Sequence, residues 1–138
     1  MRRLSFAVAA ALAAGLPAAA AAELPLPRGF YVAADTACGQ ASMATLTLLH
    51  RDGIGGAQDF CGFEQIVAEA AGRFRITERC ADLRDPTSAE VNEVVYEMLG
   101  AGHFRKTSPY GWSVESRHCA QGDLPEPWRS NDIADVLE

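Results

Sequence analysis

The sequence lacks the short motifs that identify most hydrolases and nucleotide-binding enzymes. It contains no G-x-S-x-G or S-x-x-K nucleophile motif, no H-E-x-x-H zinc motif and no acidic calcium loop. Gly53, Gly55 and Gly56 are not followed by the lysine and helix of a phosphate-binding loop. These absences predict a protein that is not an enzyme and that carries no cofactor.

Closely spaced metal-ligand pairs and an excess of basic charge are missing too. There is no Cys-x-x-Cys, and the only histidine adjacent to a cysteine is His118, beside Cys119, so we predict no metal site. Lysine and arginine together number 12 against 18 acidic residues, a formal net charge of −6. An acidic chain of this kind is a poor match for nucleic acid.

Only one long hydrophobic run is present, at residues 4–22. Arg2 and Arg3 precede it, Pro17 interrupts it, and it ends in three small residues at 20–22. This pattern predicts a signal peptide over residues 1–22 and a mature protein that begins near Glu23. An uncleaved membrane anchor is the alternative, but the alanine-rich composition and the break at Pro17 favour cleavage. The Ala-rich run resembles bacterial signals, so we expect a periplasmic or secreted protein with no stable membrane span.

Four cysteines remain after export, and in an oxidising compartment an even number predicts two disulfides. Three pairings are possible. Sequential pairing, which joins Cys38 to Cys61 and Cys80 to Cys119, follows if residues 53–58 form a short strand that brings all four to one end. The alternative is a bond between Cys61 and Cys80 across a hairpin that turns near residues 70 and 71.

Apolar runs of strand length recur between turn signals along residues 23–122. In residues 73–80, Phe74, Ile76 and Cys80 share one face while arginines occupy the other, as expected for a sheet with one solvated side. In the last run, residues 112–119, we expect Trp112 and Val114 to point inward. The sequence therefore predicts a single all-β domain, an antiparallel meander or small barrel of six to eight strands. Residues 123–138, which contain Pro125 and Pro127, predict a flexible C-terminal tail.

Residues 87–99 fit two structures. Val91, Val94, Val95, Met98 and Leu99 follow helical spacing, and residues 87 and 90 form a capping box. The β-branched and aromatic content and the neighbouring strands favour a strand over residues 93–99 instead. We expect a strand, with one helix at 87–99 as the alternative.

The candidate binding residues are Arg73, Arg75 and Arg79, which lie on the solvent face of one strand and form a potential anion-binding stripe. Nearby acidic residues (Glu64, Glu69 and Glu78) favour an ordinary ion-paired surface instead. For a hydrolase the candidate general bases are His50, His103 and His118. A cleft would have to bring together His50, His103, Asp52 and Glu115.

These observations favour a non-catalytic, exported domain that binds a protein or a small ligand in the cell envelope, for example as an inhibitor of a hydrolase. A structural or stress-protective envelope protein without a discrete site is the alternative. A small hydrolase is a third.

Overall fold

A computed structural model describes residues 22–138, so the predicted signal peptide lies outside the described residues except for Ala22. Eight antiparallel strands follow one another around a closed barrel, in which β1 pairs with both β2 and β8. The predicted all-β fold is confirmed. The strands are β1 (Gly29–Ala33), β2 (Leu46–Leu49), β3 (Gly53–Gly55), β4 (Asp59–Ala70), β5 (Arg73–Asp82), β6 (Asp85–Gly100), β7 (His103–Thr107) and β8 (Ser113–His118).

Four short helical elements lie outside the strands, one in the β1–β2 connection and three after β8. Three are 3-10 turns, at Cys38–Gln40, Gln121–Asp123 and Trp128–Ser130, and one α-helix, α1, spans Ala134–Leu137. Within residues 22–138, no helix combines the length and the apolar character needed to cross a membrane.

The ambiguous stretch at 87–99 lies in strand β6, so the strand prediction is confirmed and the helical alternative is wrong. Val94 pairs with Ile76 of β5, and Tyr96 pairs with Phe74 of β5 and with Lys106 of β7. A helix here would leave the backbones of β5 and β7 without partners, and tertiary pairing therefore outweighs the local helical spacing. The hydroxyl of Thr87 donates to Asp85 rather than capping a helix.

The disulfides join Cys38 to Cys119 and Cys61 to Cys80, so the sequential pairing is wrong and the hairpin bond is present. Strand β4 starts at Asp59 and therefore includes Cys61, which lies directly opposite Cys80 in the ladder between β4 and β5. Closure of the barrel between β1 and β8 then brings the remaining two cysteines together at the seam.

Hydrophobic residues form two separate cores. The inner core fills the barrel, and the outer core covers the outside of β1 and β2. Side chains alternate along β1, so Tyr31 points into the inner core while Phe30 and Val32 belong to the outer core. The inner core contains Leu26, Tyr31, Leu49, Ile54, Cys61, Phe74, Ile76, Val94, Tyr96 and Phe104. The outer core contains Phe30, Val32, Ala41, Leu46, Cys119, Leu124, Ile133 and Val136.

The C-terminal residues, predicted as a flexible tail, pack on the barrel instead. Leu124, Ile133 and Val136 are buried in the outer core. The apolar outer face of β1 and β2 needs cover from water, and this segment supplies it. The prolines at 125 and 127 break regular structure without preventing this packing.

The two ends of the barrel differ. At the closed end the lead-in residues cross the opening: Leu26 is buried in the inner core, and the Tyr31 hydroxyl donates to the carbonyl oxygen of Pro27 at 2.7 Å. The opposite, open end is formed by the β1–β2, β3–β4, β5–β6 and β7–β8 connections. A cavity enters the barrel there.

Candidate functional site

The cavity at the open end has a volume of about 180 Å³. Its walls come from strands on both sides of the barrel seam, and Ile54, Phe104 and Val114 supply much of the apolar surface. Barrels of eight strands have room for side chains or for one small ligand, and barrel mouths are common binding sites. The other lining residues are Ala33, Ala44, Thr45, Thr47, Gly55, Gly56, Asp59, Cys61, Lys106 and Ser116.

A buried ion pair lies beside this cavity. The ammonium nitrogen of Lys106, which lines the cavity, is 2.6 Å from Oε2 of Glu78, whose side chain is 1% exposed. The Tyr96 hydroxyl donates to the other carboxylate oxygen of Glu78 at 2.7 Å. A buried carboxylate needs both a cation and hydrogen-bond donors, and these two partners provide them.

Strand alternation explains why these polar side chains point inward. Phe74, Ile76, Glu78 and Cys80 are spaced two apart along β5, so all four lie on the inner face. The prediction that Glu78 balances the arginines on the solvent face is wrong, because its carboxylate binds Tyr96 and Lys106 inside the barrel. Side chains alternate between the two faces of a strand, and this alternation from Phe74 to Cys80 predicts that Glu78 points into the core.

The network holds Tyr96 in its neutral form. Burial raises the pKa of the Tyr96 phenol, and the negative charge of Glu78 and the hydrogen bond to it raise this pKa further. Tyr96 also stacks on Phe104, with ring centroids 5.1 Å apart. The phenol therefore acts as a fixed donor to Glu78.

Exposed hydrophobic side chains lie on or next to the connections at the open end of the barrel, and we call these residues the rim. Trp112 was expected to point into the core but is 51% exposed. Val114 is 40% exposed, but it points inward as expected and lines the cavity. The β7–β8 turn carries Trp112 beyond the end of the ladder, where the ammonium of Lys106 lies 5.8 Å from its ring centroid. The rim consists of Met43, Leu83, Tyr110, Trp112 and Val114.

The three candidate arginines lie on the outer face of β5 and are ion-paired. Arg73 contacts Glu69 and Glu97, and Arg75 contacts Glu69 and Glu93. Arg79 contacts Glu64 at 2.5 Å. Anion binding by this stripe stays a prediction, and the ion pairs reduce the positive charge that it offers.

The candidate histidines occupy separate environments. His103 Nε2 is 3.5 Å from a carboxylate oxygen of Glu115 but has no hydrogen-bond partner among the described residues. Arg105 pairs with the same carboxylate at 2.5 Å and, by this hydrogen bond, lowers the pKa of Glu115. His50 packs edge-on against Phe60.

His118 packs edge-on against Tyr31 at a centroid separation of 5.3 Å. Within residues 22–138, no hydrogen bond or ion pair links the His103–Glu115 contact to His50 or Asp52. The structure thus brings together one pair of the hydrolase candidates.

One group of potential metal ligands lies near the cavity among the described residues, namely Cys61, Glu78 and Cys80. Both sulfur atoms belong to a disulfide. A metal-binding thiolate is therefore not available there while the bond is intact.

Comparison of the chain with protein-family models, curated proteins and solved structures finds no match. The structure does bear on compartment, because disulfides persist in oxidising surroundings. Two of them, with all four cysteines paired, indicate a non-cytoplasmic protein.

Proposed function

We propose that this protein is an exported, non-catalytic binding protein that docks a protein partner at the open end of the barrel. The observation that carries the proposal is the combination of a small cavity with a hydrophobic rim. Trp112 is exposed beside the cavity, with its ring 5.8 Å from the ammonium of Lys106, and Tyr110 is exposed on the same connection. Tyrosine and tryptophan are among the side chains most enriched where binding energy concentrates in protein interfaces.

The part of the open end that enters the barrel is too small for a drug-sized ligand, and the depression of about 710 Å³ that shares Thr47 and Asp59 with it is a more open surface that suits contact with a protein. Pockets for drug-sized ligands occupy roughly 300 to 1,000 Å³, whereas this cavity has about 180 Å³. A space of that size accepts one side chain of a partner. The rim around it would form the rest of the contact, with Trp112 as the side chain that contributes most of the binding energy.

We further propose a periplasmic or secreted location. The two disulfides support a compartment outside the cytoplasm. The basic start, apolar run and small residues over 1–22 support export. Inhibition of a hydrolase in that compartment is the role that we favour.

The experiment compares Trp112→Ala with a matched control, Leu99→Ala. Leu99 is also an exposed hydrophobic residue, at 39%, but it is near the closed end of β6. Proteins captured from an envelope extract by the wild type are identified, and the affinity of the purified partner is then measured for each variant.

We expect Trp112→Ala to weaken binding by at least tenfold, because central tryptophans in interfaces contribute about 2 kcal/mol or more. Leu99→Ala should bind within about threefold of the wild type. If both variants bind with the affinity of the wild type, the interface lies elsewhere on the protein. If no partner is captured, the structural or stress-protective role is favoured.

A further inference from the structure

We infer that the cavity at the open end accepts a neutral amide side chain, glutamine or asparagine, from the docked partner. In this arrangement the amide carbonyl oxygen accepts a hydrogen bond from the ammonium group of Lys106. The inference rests on the proposed function and specifies which chemical group enters the barrel.

The charges around the cavity exclude ions of either sign. Lys106 is already neutralised by Glu78 at 2.6 Å, and the exposed Asp59 adds negative charge at the mouth. An entering carboxylate would leave one negative charge without a cation beside the buried carboxylate of Glu78. An entering ammonium group would have to approach Lys106 itself. A neutral side chain neither leaves a negative charge unpaired nor brings a second cation close to Lys106.

The unused hydrogen-bond donors select an acceptor. An ammonium group has three N–H donors, and the single hydrogen bond that Lys106 makes among the described side chains is to Glu78. Its side chain is still 12% exposed and lines the cavity. Thr47 also lines the cavity, and its buried hydroxyl has no partner within residues 22–138. A carbonyl oxygen is the group that these donors lack.

Volume and wall chemistry fit a short stem that ends in an amide. About 180 Å³ corresponds to roughly six water molecules at ~30 Å³ each. A glutamine side chain has five non-hydrogen atoms, and its two methylene groups would contact Ile54, Phe104 and Val114. The amide would then reach the polar side of the cavity at Lys106.

The experiment uses the fact that the chain has a single lysine. Protein labelled with ¹³Cε-lysine gives one side-chain signal, which is followed during titration with N-acetylglutamine methylamide. The matched probes are the corresponding glutamate and lysine derivatives. We expect a saturable shift with the glutamine probe and at least tenfold weaker binding of both charged probes.

Two results would overturn the inference: a glutamate or lysine probe that binds as well as glutamine, or no shift with any probe. The double variant Glu78→Gln with Lys106→Met removes both charges together and keeps the side-chain lengths. In this variant the methyl signal of Ile54 should no longer respond to the glutamine probe. An unchanged response of Ile54 would show that Lys106 does not select the ligand.

Failure of this inference is distinguishable from failure of the proposed function. If Trp112→Ala abolishes partner binding while the glutamine probe has no effect, the rim is the interface and the cavity takes no amide. If the glutamine probe binds but Trp112→Ala leaves partner binding intact, the cavity takes an amide group and the protein partner docks elsewhere.

Discussion

The inner and outer cores contain similar hydrophobic residues, and each includes one disulfide, yet their contents differ in kind. The inner core encloses the Glu78–Lys106 pair, Tyr96 and an open cavity. The buried side chains of the outer core are covered by the C-terminal segment, and a wider surface pocket of about 460 Å³ lies against Phe30, Ile133 and Val136. A buried charge pair reduces stability relative to close apolar packing. The comparison therefore indicates that the outer core stabilises the domain while the inner core keeps features that suit binding.

The largest effect that separates the two cores should come from their disulfides. The bond between Cys38 and Cys119 spans 81 residues, and the bond between Cys61 and Cys80 spans 19. In the chain-entropy treatment, removing them by Cys→Ser pairs costs about 4.5 and about 3 kcal/mol, respectively. Urea denaturation of both double variants measures this. A larger loss for the Cys61–Cys80 variant would contradict the assignment of the stabilising role to the outer core.

Next in size is the effect of breaking the buried pair of the inner core. Glu78→Gln leaves the ammonium of Lys106 without its counter-charge, which we expect to lower the free energy of unfolding by about 3 kcal/mol. Adding Lys106→Met should restore at least half of this loss, because no isolated charge then remains. Chemical denaturation of the single and double variants tests both values, and a loss below about 1 kcal/mol for Glu78→Gln would show that the pair is well hydrated.

A smaller loss is expected in the outer core. Ile133→Ala removes a buried side chain that is 8% exposed, and we expect a loss of about 2 kcal/mol, at the low end for core isoleucine because the segment lies near the surface. Leu137→Ala is the control, since Leu137 is 54% exposed and should change stability by less than about 0.5 kcal/mol. Thermal or urea unfolding measures both variants. If they lose the same free energy of unfolding, the C-terminal segment is not anchored through Ile133.

The smallest expected effect is a response to alkaline pH that belongs to the inner core alone. The pKa of Tyr96 is raised in the folded protein, so its stabilising contribution is complete below the unfolded value of about 10 and declines as pH rises above it. The decline is at most about 1.4 kcal/mol per pH unit for one tyrosine. Between pH 9 and 11 the free energy of unfolding should fall less steeply with pH in Tyr96→Phe than in the wild type. Identical slopes would exclude Tyr96 as the source of the decline. Burial likewise raises the pKa of Tyr31, which keeps a residual slope in the variant.

Much of the barrel was accessible to sequence reasoning because strand alternation is local. The face shared by Phe74, Ile76 and Cys80 was identified correctly, and all three point inward. Glu78 lies on the same face, and applying the alternation to a charged residue would have located the buried pair. Trp112 was misplaced because alternation cannot show where a strand leaves the sheet.

The amino-acid sequence by itself determined the strand class, the number of strands within its stated range and the presence of four cysteines, since these depend on local side-chain patterns and composition. Tertiary structure alone decided which cysteines pair, because Cys38 and Cys119 meet through closure of the barrel between β1 and β8. It also decided that Lys106 neutralises Glu78 across 28 positions of the chain and that a cavity remains beside them. Contacts between distant positions depend on the register of every intervening strand, and no local pattern specifies that register.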